Sequence, residues 1–155
     1  KHLGDGARTI NIGSIMADRI PGPGASVYGI TKRAVASFTR GLARDLGTQG
    51  YRNNVQPGPI DTDANPDGGD FAESLKLVTT QGRYGHTTDV ASLVSFLAGP
   101  ESGYITGANL NVDGGFHCLT SHAAHLGGEE IRSAADALMP GGRMVSIMYP
   151  PASRI

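Results

Sequence analysis

The chain has 155 residues, 23 glycines, 39% hydrophobic residues and a formal net charge of −1. This length suits one domain with a sizeable core, and the near-neutral charge gives no basis for binding nucleic acid or an anionic membrane. The apolar runs are far shorter than the roughly 20 residues that a membrane-spanning helix needs. The single Cys118 cannot form an internal disulfide bond, so we expect a cytoplasmic location.

The first predicted element is a short strand over residues 8–13, RTINIG, whose apolar pattern is typical of a buried parallel strand. Ser14 follows its carboxyl end, and ligands bind at that edge of open α/β sheets. A loop rich in glycine and proline follows at residues 18–25. It contains GPG, which lacks the G-x-G-x-x-G spacing and therefore does not predict a phosphate-binding turn.

Residues 26–46 form the strongest predicted helix, because apolar residues recur there at three- or four-residue steps. They are Val27, Ile30, Ala34, Val35, Phe38, Leu42 and Leu46. Tyr28 and Lys32 lie one turn apart and off this stripe, as a site facing a cleft requires. An ammonium beside a phenol favours the ionised phenol, which suits proton transfer, and Ser14 would orient a carbonyl or alcohol. Alone, the pair also fits an ordinary helix surface.

The following elements are shorter. Residues 53–56 predict a weak strand, 71–80 a short helix, and 109–112 a last strand before a glycine turn. A further helix begins near Thr88 or Asp89, either of which is a suitable N-cap. The aspartates of residues 61–70 lack the spacing of a calcium loop, so we interpret this stretch as a solvated loop.

Residues 117–155 form a predicted tail with a helix at 129–138 and a strand at 143–148. Its sequence partly repeats the start of the chain at an offset of 135 residues, which indicates either convergence or a fused second unit. We expect strand 143–148 to pair beside strand 8–13. The tail also holds His117, Cys118, His122 and His125, but their spacing matches no strong zinc motif, so no metal site is predicted.

Four segments occur in the order and near the spacing of one known family: NIGS, YGITK, QPGPIDT and NVDGG. Over residues 8–116 the chain resembles the C-terminal half of a short-chain dehydrogenase/reductase. The resemblance implies an α/β fold, a Rossmann-like doubly wound parallel sheet truncated at its N-terminal half, with an extra C-terminal helix–strand tail. The expected domains are therefore residues 1–116 and 117–155.

The resemblance also implies a function, the transfer of a hydride between NAD or NADP and a carbonyl or alcohol. Tyr28 would be the general acid/base, Lys32 would favour its ionised form and hold the ribose, and Ser14 would orient the substrate. The match to the family's PGxxxT segment implies a second group of residues near the nicotinamide. These are Pro57, Gly58, Ile60 and Thr62.

Two further expectations rest on the family pattern. Helix 26–46 would pack against its counterpart in another subunit, which implies a homo-oligomer. The run GYRNNVQPG is about one residue shorter than the family pattern, and Arg52 stands where an apolar residue is expected. Because side chains alternate along a strand, we expect a bulge or reversed faces at this position.

The N-terminal βαβ unit that binds cofactor phosphates is absent from this sequence, so impaired activity is expected. One alternative is a non-enzymatic binding module, because QPGPIDTDANP resembles bacterial biofilm-dispersal mediators that bind a cyclic dinucleotide. Another alternative is an inactive fragment.

Overall fold

The computed structural model describes residues 4–118. The main elements are β1 (Ala7–Ile12), α1 (Ser26–Asp45), β2 (Gly50–Pro57), α2 (Ala72–Leu77), α3 (Thr87–Ala98) and β3 (Asn109–Val112). Short 3₁₀ helices span Ile15–Ala17, Gly47–Gln49, Pro100–Ser102 and Phe116–Cys118. Every element predicted before residue 117 is present, with bounds that differ by a few residues at most, except that the second strand is twice its predicted length.

The three strands form one parallel sheet in the order β1-β2-β3. Parallel neighbours need crossover connections, which α1 supplies between β1 and β2, and α2 with α3 between β2 and β3. All three carboxyl ends therefore lie at the same edge of the sheet. This arrangement confirms the predicted α/β fold and its Rossmann-like parallel sheet.

Helices cover both faces of the sheet. Asn11 in β1 donates from Nδ2 to Thr39 Oγ1 in α1 at 2.8 Å. Arg8, three residues earlier in the same strand, donates from Nη1 to the α3 carbonyl of Leu97 at 3.2 Å. Since side chains alternate along a strand, these two contacts place α1 and α3 on opposite faces.

The bulge considered for the second strand is absent. β2 runs for eight residues, and its pairing with β1 is unbroken from Ala7↔Gly50 to Ile12↔Val55. Gly50 allows the two strands to lie close together at their first pair, because a Cβ on Gly50 would be only 2.0 Å from the Ala7 carbonyl oxygen. The sheet therefore tolerates the shorter sequence without a bulge, and polar side chains occupy its interior positions.

Polar residues of β2 are buried against α1 and are hydrogen-bonded to one another. Asn54 donates from Nδ2 to Asn109 Oδ1 at 2.9 Å and to Gln56 Oε1 at 3.2 Å. Gln56 donates from Nε2 to Asn111 Oδ1 at 2.9 Å and to Asp18 Oδ2 at 2.7 Å. These bonds offset much of the cost of burying the amide groups.

Arg52 lies on the same face of β2 and is 1% exposed. Its Nη1 donates to the backbone oxygens of Ala7 at 3.0 Å and Tyr51 at 2.9 Å. Its Nε and Nη2 are buried without a partner among residues 4–118. This cation is therefore only partly satisfied where an aliphatic side chain was expected.

The apolar stripe predicted for α1 does not face the sheet. The buried residues of the helix are Gly29, Ala36 and Thr39, which are small and let the helix approach closely. The large side chains of Val27, Ile30 and Phe38 are 76%, 71% and 59% exposed.

Predicted elements beyond residue 118 lie outside the described residues. These are the helix at 129–138, the strand at 143–148, and the positions of His122 and His125. Within residues 4–118, no helix combines the length and apolar character that crossing a bilayer requires.

Candidate functional site

A cavity of about 760 Å³ opens at the carboxyl edge of the sheet, where β1 and β2 end. Its wall includes all seven residues predicted for catalysis or cofactor binding. They are Ser14, Tyr28, Lys32, Pro57, Gly58, Ile60 and Thr62. Residues far apart in sequence meet there because parallel strands deliver their following loops to one edge.

Ser14 lies two residues after β1 and is 8% exposed. It has extended backbone geometry and caps the 3₁₀ helix Ile15–Ala17, with its Oγ accepting from the Met16 N–H at 3.2 Å. A hydroxyl that accepts in this way keeps its own proton as a donor. Ser14 is thus held in place by its turn and is part of the cavity wall.

Tyr28 and Lys32 lie in the first turns of α1. The Lys32 Nζ is 5.5 Å from the centre of the Tyr28 ring and donates to the Ile12 carbonyl oxygen at 3.3 Å. That second contact ties the lysine to the end of β1. Tyr28 remains 47% exposed, so its hydroxyl is reachable from the cavity.

The loop after β2 forms the opposite part of the wall. Gly58 continues the pairing of β2, with its N–H donating to the Val112 carbonyl at 2.9 Å. A Cβ on Gly58 would lie 2.7 Å from the Cα of Asp113, so only glycine fits there. From the sequence, Gly58 was expected to allow the close approach of a ligand, whereas in the structure it closely approaches the backbone of Asp113.

Asp18 is a structural member of the site that the sequence argument missed. Its carboxylate accepts from Gln56 in β2 and forms an ion pair with Arg33 in α1. Arg33 also donates to the Ala17 carbonyl at 3.3 Å. Asp18 therefore links the loop that carries Ser14 to both the sheet and the helix that carries Tyr28. The available signal was that Asp18 is the single carboxylate in the loop of residues 18–25.

Gly29 and Phe116 were also missed. Gly29 lies between Tyr28 and Lys32, and a Cβ there would lie 2.4 Å from Ile20 Cδ1 and 3.2 Å from the Met16 oxygen. Phe116 is 1% exposed and lines the cavity, with the Arg19 guanidinium 5.1 Å from its ring centre. The signals were a glycine inside a helix and an aromatic residue directly after NVDGG.

Residues 61–76 lie beside the mouth of the cavity and contribute Thr62, Ala64, Asn65 and Leu75 to its wall. Lys76 forms an ion pair with Asp67 at 2.7 Å and donates to Glu73 Oε1 at 2.9 Å, and these two carboxylates raise the pKa of Lys76 well above its ordinary value. Tyr84 donates to Asn65 Oδ1 at 3.2 Å, and burial raises the pKa of its hydroxyl.

No group of three metal-ligating side chains occurs within residues 4–118. His117 in the last 3₁₀ helix instead places Nδ1 2.6 Å from Oδ2 of Asp113, which directly follows β3. The cavity wall therefore combines hydroxyls, one amide and one ammonium with apolar side chains.

Comparison with known proteins gives a consistent picture. Residues 1–117 match a family model described as enoyl-(acyl carrier protein) reductase. The chain is 44% identical over 117 residues to a cyclic-di-GMP-binding biofilm dispersal mediator protein of Escherichia coli (strain K12), which covers 75% of this chain and 49% of the relative. The chain thus spans about half the length of the curated relatives it matches.

Two solved structures have a similar fold. A short-chain dehydrogenase/reductase from Serratia marcescens is 53% identical, with a TM-score of 0.73 over 75% of this chain and 48% of that chain. A blue fluorescent protein from a metagenomic library, solved in complex with NADPH, is 49% identical, with a TM-score of 0.73 over 74% of this chain and 47% of that chain.

Proposed function

Because the chain belongs to the short-chain dehydrogenase/reductase family, whose members are NAD(P)-dependent oxidoreductases, we propose that its cavity takes part in hydride transfer between a nicotinamide cofactor and a carbonyl or alcohol. The observation that carries the proposal is the convergence of all seven predicted residues on one cavity wall. They come from three segments, and no local sequence constraint would bring them together.

Each polar residue has a separate task in the proposal. The Tyr28 hydroxyl gives its proton to the carbonyl oxygen during reduction and takes one from the alcohol during oxidation. The Lys32 ammonium, held near the Tyr28 ring, stabilises the phenolate left behind. The Ser14 hydroxyl donates a hydrogen bond to the same substrate oxygen and fixes its position.

The residues present fit a nicotinamide and its ribose. Lys32 and Tyr28 offer donors for ribose hydroxyls, and Thr62 offers a hydroxyl for a carboxamide. Ile12, Pro57 and Ile60 supply apolar walls for a flat ring. A bound nicotinamide, from NAD or NADP, would supply or accept the hydride.

The test is titration of the purified chain with NADPH and NADH, followed by nicotinamide fluorescence, and then NADPH oxidation with ethyl acetoacetate. We expect saturable binding, weakened about tenfold in Lys32→Gln, and turnover lowered by about 10²- to 10⁴-fold in Tyr28→Phe. Tyr104→Phe is the matched control, because Tyr104 is fully exposed outside the cavity.

Two results would overturn the proposal. One is that the chain binds neither cofactor although its circular dichroism spectrum shows that it is folded. The other is a Tyr28→Phe variant that turns over as fast as Tyr104→Phe. Because the Escherichia coli relative is named for binding cyclic-di-GMP, that ligand is included, and its binding in place of NADPH would favour a regulatory binding module.

We also propose that α1 mediates association with a second copy of the chain. The support is its exposed apolar stripe of Val27, Ile30 and Phe38, together with the family resemblance of this helix. In sedimentation, we expect the unmodified chain to form a dimer or larger species and Phe38→Asp to be a monomer. The neighbouring substitution Ser37→Asp is the control and should leave the oligomeric state unchanged. A monomeric unmodified chain at micromolar concentration would rule this interface out.

The division at residue 116 and the cytoplasmic location remain proposals. The family model supports the first, since its match ends at residue 117. The single Cys118 supports the second.

A further inference from the structure

The cavity wall carries very little charge. Within residues 4–118, its only charged side chain is Lys32, and that ammonium is already engaged with the Ile12 carbonyl beside Tyr28. The remaining wall is mainly apolar. Its large apolar members are Ile12, Ile15, Met16, Ile60, Leu75, Val90 and Phe116.

The segment beside the mouth is acidic. Residues 61–76 hold five carboxylates, Asp61, Asp63, Asp67, Asp70 and Glu73, against the one cation Lys76. Lys76 is bonded to two of those carboxylates and does not offer its charge to a ligand.

Other nearby cations are also engaged. Arg33 is paired with Asp18 and donates to Ala17, and Arg83 lies 3.7 Å from Asp89. Arg19 donates to the backbone oxygen of Phe116, and its guanidinium lies over the Phe116 ring. The described part of the chain therefore offers no free cation for a phosphate at the substrate side.

Resting on the proposed function, we propose that the site takes an uncharged carbonyl compound and selects against carbonyl groups carried on phosphopantetheine. An apolar wall gains from desolvating a neutral chain. A phosphate at the mouth meets like charge and loses hydration without a partner. The proposed substrate therefore differs from the carrier-linked substrate named in the description of the family model.

The experiment compares two ligands that differ by one phosphate: the β-ketodecanoyl thioester of pantetheine and that of phosphopantetheine. Binding to the full chain is measured by ligand-observed NMR at about 20 mM salt, with and without NADPH. We expect the phosphorylated ligand to bind at least about tenfold more weakly, with the gap shrinking at about 0.5 M salt because the repulsion is screened.

Charge reversal beside the mouth gives the second readout. Asp63→Lys combined with Asp70→Lys changes two exposed carboxylates that do not line the cavity. We expect it to tighten the phosphorylated ligand at least fivefold and to leave the neutral one within about twofold. Asp45→Lys with Glu101→Lys makes the same charge change at the opposite edge of the sheet and should alter neither ligand.

The outcomes separate this inference from the proposed function. Equal binding of the two thioesters, or an effect of the control variant equal to that of the mouth variant, overturns the inference. NADPH binding without binding of the neutral thioester also overturns it. Preference for the neutral thioester without any cofactor binding supports the inference while the proposed oxidoreductase function fails.

Discussion

Two similar substitutions on the buried face of β2 should change the free energy of unfolding in opposite directions. Arg52 and Gln56 are both at most 1% exposed, and both lie on the side facing α1. We expect Arg52→Met to stabilise the protein and Gln56→Leu to destabilise it. Both changes replace a buried polar side chain with an apolar one of similar size, so hydrophobicity alone predicts the same sign for both.

The difference comes from the partners. In Arg52 the Nε and Nη2 atoms have no partner within residues 4–118, and an unsatisfied buried donor costs about 1–3 kcal/mol. Replacing the guanidinium also removes the desolvation cost of the buried cation. Against this gain, the protein loses two hydrogen bonds to backbone oxygens. We expect a net gain of about 1–3 kcal/mol for Arg52→Met. Gln56→Leu leaves oxygens of Asn111 and Asp18 without their donor, for a loss of about 2–4 kcal/mol.

Urea unfolding followed by circular dichroism measures both values, and thermal unfolding checks them, since 1 kcal/mol moves the Tm of a chain of this size by about 2–4 °C. Arg40→Met, an exposed arginine on α1, is the control and should change stability by less than about 0.5 kcal/mol. Arg52→Met that loses 1 kcal/mol or more at an unchanged m-value would refute the reasoning, because the guanidinium would then be contributing net stability.

Two other changes test local geometry and charge. Gly58→Ala should lower the free energy of unfolding by about 1–3 kcal/mol in the same urea assay, because its Cβ would meet the Asp113 backbone. Gly22→Ala is the control and should be near neutral, because the space around Gly22 is open. Equal effects of the two substitutions would contradict this explanation. The Asp89 carboxylate accepts from the His86 N–H at 2.8 Å, and this bond lowers the pKa of Asp89. A carboxylate with a lowered folded-state pKa stabilises the protein fully above the ordinary aspartate value of 3.8, and this stabilisation is lost as pH falls below 3.8 through the folded-state pKa. Asp89→Ala should therefore lower the Tm at pH 7 and not at the lowest accessible pH. A Tm difference that is constant with pH would exclude this origin.

The local elements were predictable because their signals are short-range. The apolar pattern of residues 8–13, the spacing of Tyr28 and Lys32, and the turn chemistry around Pro57 depend on neighbours within one or two turns. The parallel strand order and the edge where Ser14 meets Tyr28 followed from these elements together with the family resemblance. The seven candidate residues therefore reached one cavity as expected.

The interior of the sheet was predictable only in part. Strand length failed at residues 53–56 because a polar run carries no strand signal, yet hydrogen bonds to Asn109 and Asn111 satisfy its amides across the sheet. The prediction of which α1 face is buried also failed. Periodicity identifies an apolar stripe on a helix but does not show which element covers it. The buried face of the helix instead consists of Gly29, Ala36 and Thr39, whose small side chains allow close packing.

The sequence by itself determined the order of strands and helices, the glycine and proline turns, and the residues with chemistry to offer. Tertiary structure alone decided that Asp18 joins the Ser14 loop to β2 and α1, that Phe116 returns to the cavity, and that Arg52 is buried without full satisfaction. The physical reason is that hydrogen-bond satisfaction and close packing depend on distances between segments, which no local pattern encodes.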